Sequence, residues 1–155
     1  MGEINVGPKV TRYTLKPAEG IKLSRIEALH KDLALALAAH PIRIEAPIPG
    51  KSLVGIEVPN RSAALVRLGS LLGYPEFQKA GPLSFALGRD VAGNPLFPDI
   101  STMPHLLIAG STGSGKSVVI HSILTALLYR HTPQTLRLIL VDPKRVELSL
   151  YSGIP

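Results

Sequence analysis

The segment Gly110-Ser111-Thr112-Gly113-Ser114-Gly115-Lys116-Ser117 constrains this 155-residue chain more than any other. It fits the pattern G-x-x-x-x-G-K-[ST], and its flanks suit that pattern. Before it, Leu106-Leu107-Ile108-Ala109 is continuously apolar, as expected of a strand buried on both faces. After it, the stretch 117–129 puts Ile120, Ile123, Leu124, Leu127 and Leu128 on one helical side and ends at His131-Thr132-Pro133. A second apolar run, 136–141, follows. Strand, turn, helix, strand is a βαβ unit, which predicts a parallel sheet with a right-handed crossover.

The chemistry of such a loop follows from its residue types. Glycines at 110, 113 and 115 let the backbone curl until successive amides point inward at an anion. A helix starting near Lys116 adds its positive end and its unpaired amides. In a site of this kind Lys116 reaches the β- and γ-phosphates and is the catalytic cation, and Ser117 ligates Mg²⁺ through its hydroxyl. Residues Gly110, Ser111, Thr112, Gly113, Ser114, Gly115, Lys116 and Ser117 are therefore expected to bind a nucleoside triphosphate, ATP with Mg²⁺.

The rest of the composition narrows the classes. No cysteine is present, which excludes disulfide scaffolds, thiolate metal sites and cysteine nucleophiles. Net charge is +6, with ten basic and six acidic groups in residues 1–75 and seven and five in 76–155. That mild positive field suits a polyanion without forming a basic tail. The longest apolar stretches, 33–39 and 123–128, fall well short of the ~18 residues a membrane helix needs. With no signal-peptide pattern at the start, a cytoplasmic portion is expected. Five histidines show no metal spacing, and the seven aromatics are too scattered for a base-stacking platform.

Upstream, the first third reads as a small α+β unit. Val10-Thr11-Arg12-Tyr13-Thr14-Leu15 alternates like a strand. Ser24 and Glu27 form a capping-box pattern, after which Ile26, Leu29, Leu33 and Leu37 share a helical face up to Pro41. Strands are expected at 42–45 and 53–58, giving a sheet with one covered face and Arg12, Lys16, Arg43 and Glu45 on the other. A second helix is expected over 60–72 and loop over 73–82, with the domain boundary near residue 75. Two short strand-like runs, 83–88 and 95–99, follow.

Asp142 ends the apolar run Leu138-Ile139-Leu140-Val141 and stays open to two readings. It is either a metal-holding aspartate or a strand-end residue that orients the loop after it. No glutamate follows it to activate water; Pro143 does. Lys144, Arg145 and Glu147 sit just beyond, where α/β sheets bind ligands, though solvated loop charges often have no such role. A nucleoside kinase would need lid arginines, for which only Arg130, Arg137 and Arg145 are available after the loop.

The residues from Met103-Pro104-His105 through Ser117 resemble the motor region of FtsK/SpoIIIE-type DNA translocases. Val141-Asp142-Pro143-Lys144, Glu147-Leu148, Tyr151 and Gly153-Ile154-Pro155 extend the likeness. Upstream it runs through Leu87-Gly88-Arg89-Asp90, Pro47-Ile48-Pro49-Gly50-Lys51, Val54-Gly55-Ile56-Glu57-Val58-Pro59-Asn60 and Gly7-Pro8-Lys9-Val10-Thr11-Arg12-Tyr13, with Gly20-Ile21-Lys22. The resemblance implies an α domain over about residues 1–75, then the N-terminal part of a RecA-like β domain over 76–155 whose parallel sheet is cut short. It also implies an ATP-driven pump for double-stranded DNA, a homo-hexameric ring acting in chromosome partition at the division septum. The parent protein would be membrane-anchored through segments lying outside these residues. The family's Walker B segment, apolar residues followed by Asp-Glu, is expected after residue 155, so that this stretch alone binds ATP without turnover. The alternative is a non-enzymatic ring-assembly or DNA-binding module with an unoccupied phosphate loop.

Overall fold

In the computed structural model, which describes residues 2–103 and 105–154, the backbone partners of the first third lie far apart in sequence. Strand β1 (Ile4–Val6) turns at Gly7 and pairs antiparallel with β2 (Val10–Leu15). Helices α1 (Leu23–Ala28) and α2 (His30–Ala36) follow, then β3 (Arg43–Glu45) and β4 (Val54–Pro59). The sheet order is β1-β2-β4-β3, antiparallel throughout. Its register sets Arg12 and Arg43 opposite Glu57 and Glu45 opposite Gly55. Because residues facing each other across a ladder point to the same side, Arg12, Arg43 and Glu45 share the predicted polar face. There the Arg12 guanidinium meets Glu57 at 2.7 Å and Glu45 at 3.0 Å.

Several expectations differ here. β1 is a strand the alternation rule passes over, although Gly7-Pro8 after it is a turn dipeptide. The single amphipathic helix is two short ones, with the break at Leu29 and the His30 ring taking the Glu27 carbonyl. Ser24 does not cap, because the helix starts before it with Lys22 at the N-cap. Ile26 and Leu33 are half-buried, whereas Leu29 and Leu37 are exposed, so the apolar face is only partly used. The helix expected over 60–72 survives only as α3 (Leu68–Leu72). Residues 60–64 are instead pinned beside the β1–β2 turn. The Asn60 side chain donates to the Gly7 carbonyl and accepts from Thr11, and the Ala64 amide donates to Pro8. Those bonds replace the intrahelical ones.

The chain divides into two compact units, Met1–Arg67 with Gly88–Leu96, and Leu68–Leu87 with Phe97–Pro155. In the first, Ile42, Ile48 and Val54 form the core, and the excursion Gly88–Leu96 is a hairpin of β5 (Gly88–Arg89) and β6 (Pro95–Leu96). In the second, α3, α4 (Pro75–Lys79) and the fifteen-residue α5 (Lys116–Arg130) supply the core. The expected loop over 73–82 thus contains a helix turn, with Pro75 in the first helical position that suits its missing N–H. Phe77, fully buried, lies 5.4 Å from the Phe97 ring and beneath the Arg130 guanidinium at 4.9 Å. Arg130 also donates to the carbonyls of Gly81, Ala80 and Gln78, which ties the end of α5 to the chain leaving α4. The buried residues of α5 are Leu124, Ala126 and Leu127.

A mixed α/β fold is therefore present, and its ladders are small and antiparallel. The runs 106–109 and 136–141 take part in no ladder, and they are not buried on both faces as expected. Leu107 is 89% exposed, Ile139 95% and Val141 76%. A strand exists only through hydrogen bonds to a neighbour, so an apolar run without one has neither ladder nor cover.

Candidate phosphate-binding site

All eight residues of the glycine-rich segment lie in the second unit, as one exposed turn running into α5. Gly113 has φ +80° and Gly115 φ +99°, a region that L side chains enter only with strain. Between them the Ser114 amide donates to the Ser111 carbonyl, closing the turn. At Gly110 a Cβ would meet the Ser114 hydroxyl, which can turn away.

Gly115 is the N-cap of α5, and no side chain caps that end. The first amides of a helix have no intrahelical acceptor, so here they remain open toward the turn. Lys116 folds back over the same turn, donating from Nζ to the carbonyls of Gly110 and Ser111 at 2.8 Å each. An ammonium held on two exposed carbonyls by a flexible stem exchanges those bonds readily for anionic oxygens. Among the described residues the Ser117 hydroxyl has no hydrogen-bond partner, which leaves it open to a cation. The donor set therefore fits a phosphate chain with a divalent ion: open amides, one mobile ammonium and one free hydroxyl. No group of three or more His, Asp or Glu able to hold a metal by itself occurs among the described residues.

For Asp142 the structure shows the partners that its loop-orienting reading needs. Its Oδ2 accepts from the amides of Val146, Glu147 and Leu148 at 2.9–3.0 Å, and Oδ1 accepts from Lys144 at 3.1 Å. Four bonds from its own loop make it the residue that shapes 142–148. The amides of Leu148 and Glu147, then those of Lys144 and Val146, hold its carboxyl below the usual carboxylate range. Arg145, at φ +52°, and Lys144 are exposed on that loop. Arg130 is occupied by three carbonyls in the packing of α5, so it is no lid arginine.

Sequence reasoning weighs the histidines only as metal ligands and so passes over His121. It lies on α5, four residues after Ser117. Its Nδ1 is 2.9 Å from the Tyr151 hydroxyl, the two rings stack at 5.6 Å and 26°, and its Nε2 is 3.9 Å from the Glu147 carboxylate. The only linear signal is a polar aromatic residue one turn beyond the loop serine. Its partners lie 26 and 30 positions away, beyond the reach of spacing rules. Among the described residues no helix is long and apolar enough to cross a membrane.

Comparison with known proteins places the chain in a family. Residues 68–155 match the FtsK/SpoIIIE family, and residues 1–60 match the FtsK alpha domain. Pro104 and Pro155 of the motifs quoted above lie outside the described residues. The chain is 52% identical over 153 residues to the DNA translocase FtsK of Oceanobacillus iheyensis, covering 99% of this chain and 20% of that protein. It is 53% identical over 153 residues to the DNA translocase FtsK of Staphylococcus aureus, strain Mu50, and 53% over 154 residues to that of Clostridium tetani. Those alignments cover 19% and 21% of the two relatives. The chain thus spans about a fifth of the length of the curated relatives it matches.

Proposed function

This chain belongs to the FtsK/SpoIIIE family, and on that premise we propose that it is the nucleotide-binding part of an ATP-driven translocase for double-stranded DNA. The observation that carries the reading is the conjunction at one turn of two positive-φ glycines, an uncapped helix start and a lysine returned onto loop carbonyls. The turn Gly110 to Gly115 would wrap the phosphates with its amides other than that of Ser114, which the Ser111 carbonyl takes. Lys116 would neutralise the terminal phosphate, and Ser117 would take the magnesium ion. Bound there, ATP·Mg²⁺ supplies the free energy of phosphoryl transfer; the chain's part is to orient the phosphates and to balance their charge.

The domain division we propose is an α domain over about residues 1–75 and the start of a RecA-like β domain over 76–155. In that arrangement the apolar runs 106–109 and 136–141 are strands of a parallel sheet completed by strands other than those in this stretch. Their exposure supports this, because aliphatic surface of that extent favours cover. The 155 residues contain no Asp-Glu dipeptide, so we expect them to bind nucleotide and not to turn it over. As in the family, a homo-hexameric ring around DNA at the division septum is the setting that suits a mild, spread positive charge. Such a motor must hold phosphates without reading bases.

Calorimetric titration of the chain with ATP and Mg²⁺ tests the reading. Saturable heat that Lys116→Ala abolishes is expected; no heat from the unaltered chain refutes it. Duplex DNA binding should weaken steeply with salt and ignore base composition.

A further inference from the structure

The geometry points to His121 as a positioning residue that couples occupancy of the phosphate loop to the order of the 142–151 segment; the inference rests on the nucleotide reading above. Two independent features carry it. The first is the Asp142 loop, in which four amides hang from one carboxylate. That loop is exposed for most of its length, so its order depends on that carboxylate and on whatever anchors the loop to the rest of the unit. The second is the anchor: Tyr151, in the turn after the loop, bonds and stacks on one imidazole, and the Glu147 carboxylate within the loop lies 3.9 Å from that ring's other nitrogen.

That imidazole stands on the helix that begins at the phosphate loop. Residues four apart on a helix lie on one face, so Ser117 and His121 are stacked neighbours one turn apart. Lys116 gives up its bonds to Gly110 and Ser111 when it turns to phosphate oxygens. Any settling of the first turn of α5 that follows is conveyed by a rigid rod to the ring that bonds and stacks on Tyr151, with Glu147 close by. The 142–151 segment, with Lys144 and Arg145 exposed on it, thereby becomes ordered according to nucleotide state. Stacking and a hydrogen bond on the same ring fix its orientation as well as its distance, as a lever requires.

Amide hydrogen exchange on the 155-residue chain reads this directly, since the amides of Lys144, Val146, Glu147 and Leu148 have Asp142 as their acceptor. ATP with Mg²⁺ should slow exchange at these amides about threefold or more in the unaltered chain. His121→Ala should speed their basal exchange about fivefold, the loss of one net hydrogen bond. It should also abolish the response to nucleotide while leaving the calorimetric heat in place. Tyr151→Phe, which keeps the stack and leaves α5 untouched, should give a partial loss, and Glu147→Gln a smaller one. Unchanged exchange at the α5 amides of Leu124 to Leu127 would show that the helix itself is intact. Nucleotide heat without any change at 144–148 overturns the coupling alone. No heat from the unaltered chain overturns the nucleotide reading and the coupling with it.

Discussion

Gly115→Ala isolates backbone conformation as the basis of nucleotide binding. At Gly115 a Cβ would meet nothing within 4 Å, so alanine suffers no clash there; the whole effect comes from φ +99°. Holding an L residue in left-handed space costs about 1–2 kcal/mol, and +99° lies beyond the αL centre near +57°. The alanine variant will relax its exposed turn in the free protein and must re-enter the strained conformation to bind. Affinity for ATP·Mg²⁺ should therefore fall about 5- to 30-fold, since each 1.4 kcal/mol is tenfold. Global unfolding should hardly change, because the first turn of a helix contributes little to cooperative stability. Asparagine, which tolerates αL better, should fall between glycine and alanine. Gly50→Ala, at φ +73° with open space around it, carries similar strain outside the loop and should leave affinity unchanged. Gly110→Ala meets only the Ser114 hydroxyl, which can turn away, so any loss there should be small, and Ser114→Gly should remove it without rescuing Gly115→Ala. Calorimetry on these variants decides the matter. Wild-type affinity in Gly115→Ala, or equal rescue of both variants by Ser114→Gly, would show that the left-handed turn is not what organises the amides.

Phe77→Ala should destabilise the second unit by about 3–5 kcal/mol in urea titration, because a fully buried ring leaves a cavity against Phe97 and under Arg130; Phe77→Leu should lose far less. Asp142, whose carboxyl is depressed in the folded loop, stabilises that loop fully above the unfolded value near 3.8, and the contribution is lost as pH falls through the lower folded value. The loop amides should therefore lose protection on acidification through that window in the native chain, beyond the intrinsic pH dependence of exchange. Asp142→Asn should show weaker protection and no such transition. Arg12→Ala should cost about 2 kcal/mol, because it strands Glu57, whose side chain is 8% exposed, beside Glu45. Adding Glu57→Gln should recover part of that stability, and an Arg12→Ala melting curve indistinguishable from the parent would refute the triad's role.

The shape of the glycine-rich turn was legible because its logic is local. Positive φ at Gly113 and Gly115 and a helix opening at Lys116 follow from residues within a few bonds of one another, and α5 extends only one residue beyond each end of the expected helix. β2, β3 and β4 were legible through alternation to within a residue of each expected edge. The misread elements share another cause. Residues 60–64 lead into the helical spacing of Leu65, Leu68, Leu71 and Leu72 and lose the helix to bonds with Gly7, Pro8 and Thr11, about fifty positions earlier. α4 was hidden in loop-like composition because its end is satisfied by Arg130, some fifty residues later.

Short-range stereochemistry thus fixed, from the order of residues alone, the left-handed turn at Gly113 and Gly115 and where the following helix would start. Folding in three dimensions decided which groups surround Asp142, bringing four amides of its own loop onto one carboxylate. It also decided that His121 would meet Tyr151 and Glu147, and that Arg130 would be spent on packing. Side-chain partners separated by tens of residues are chosen by the path of the backbone between them, and no periodicity in the chain encodes that path.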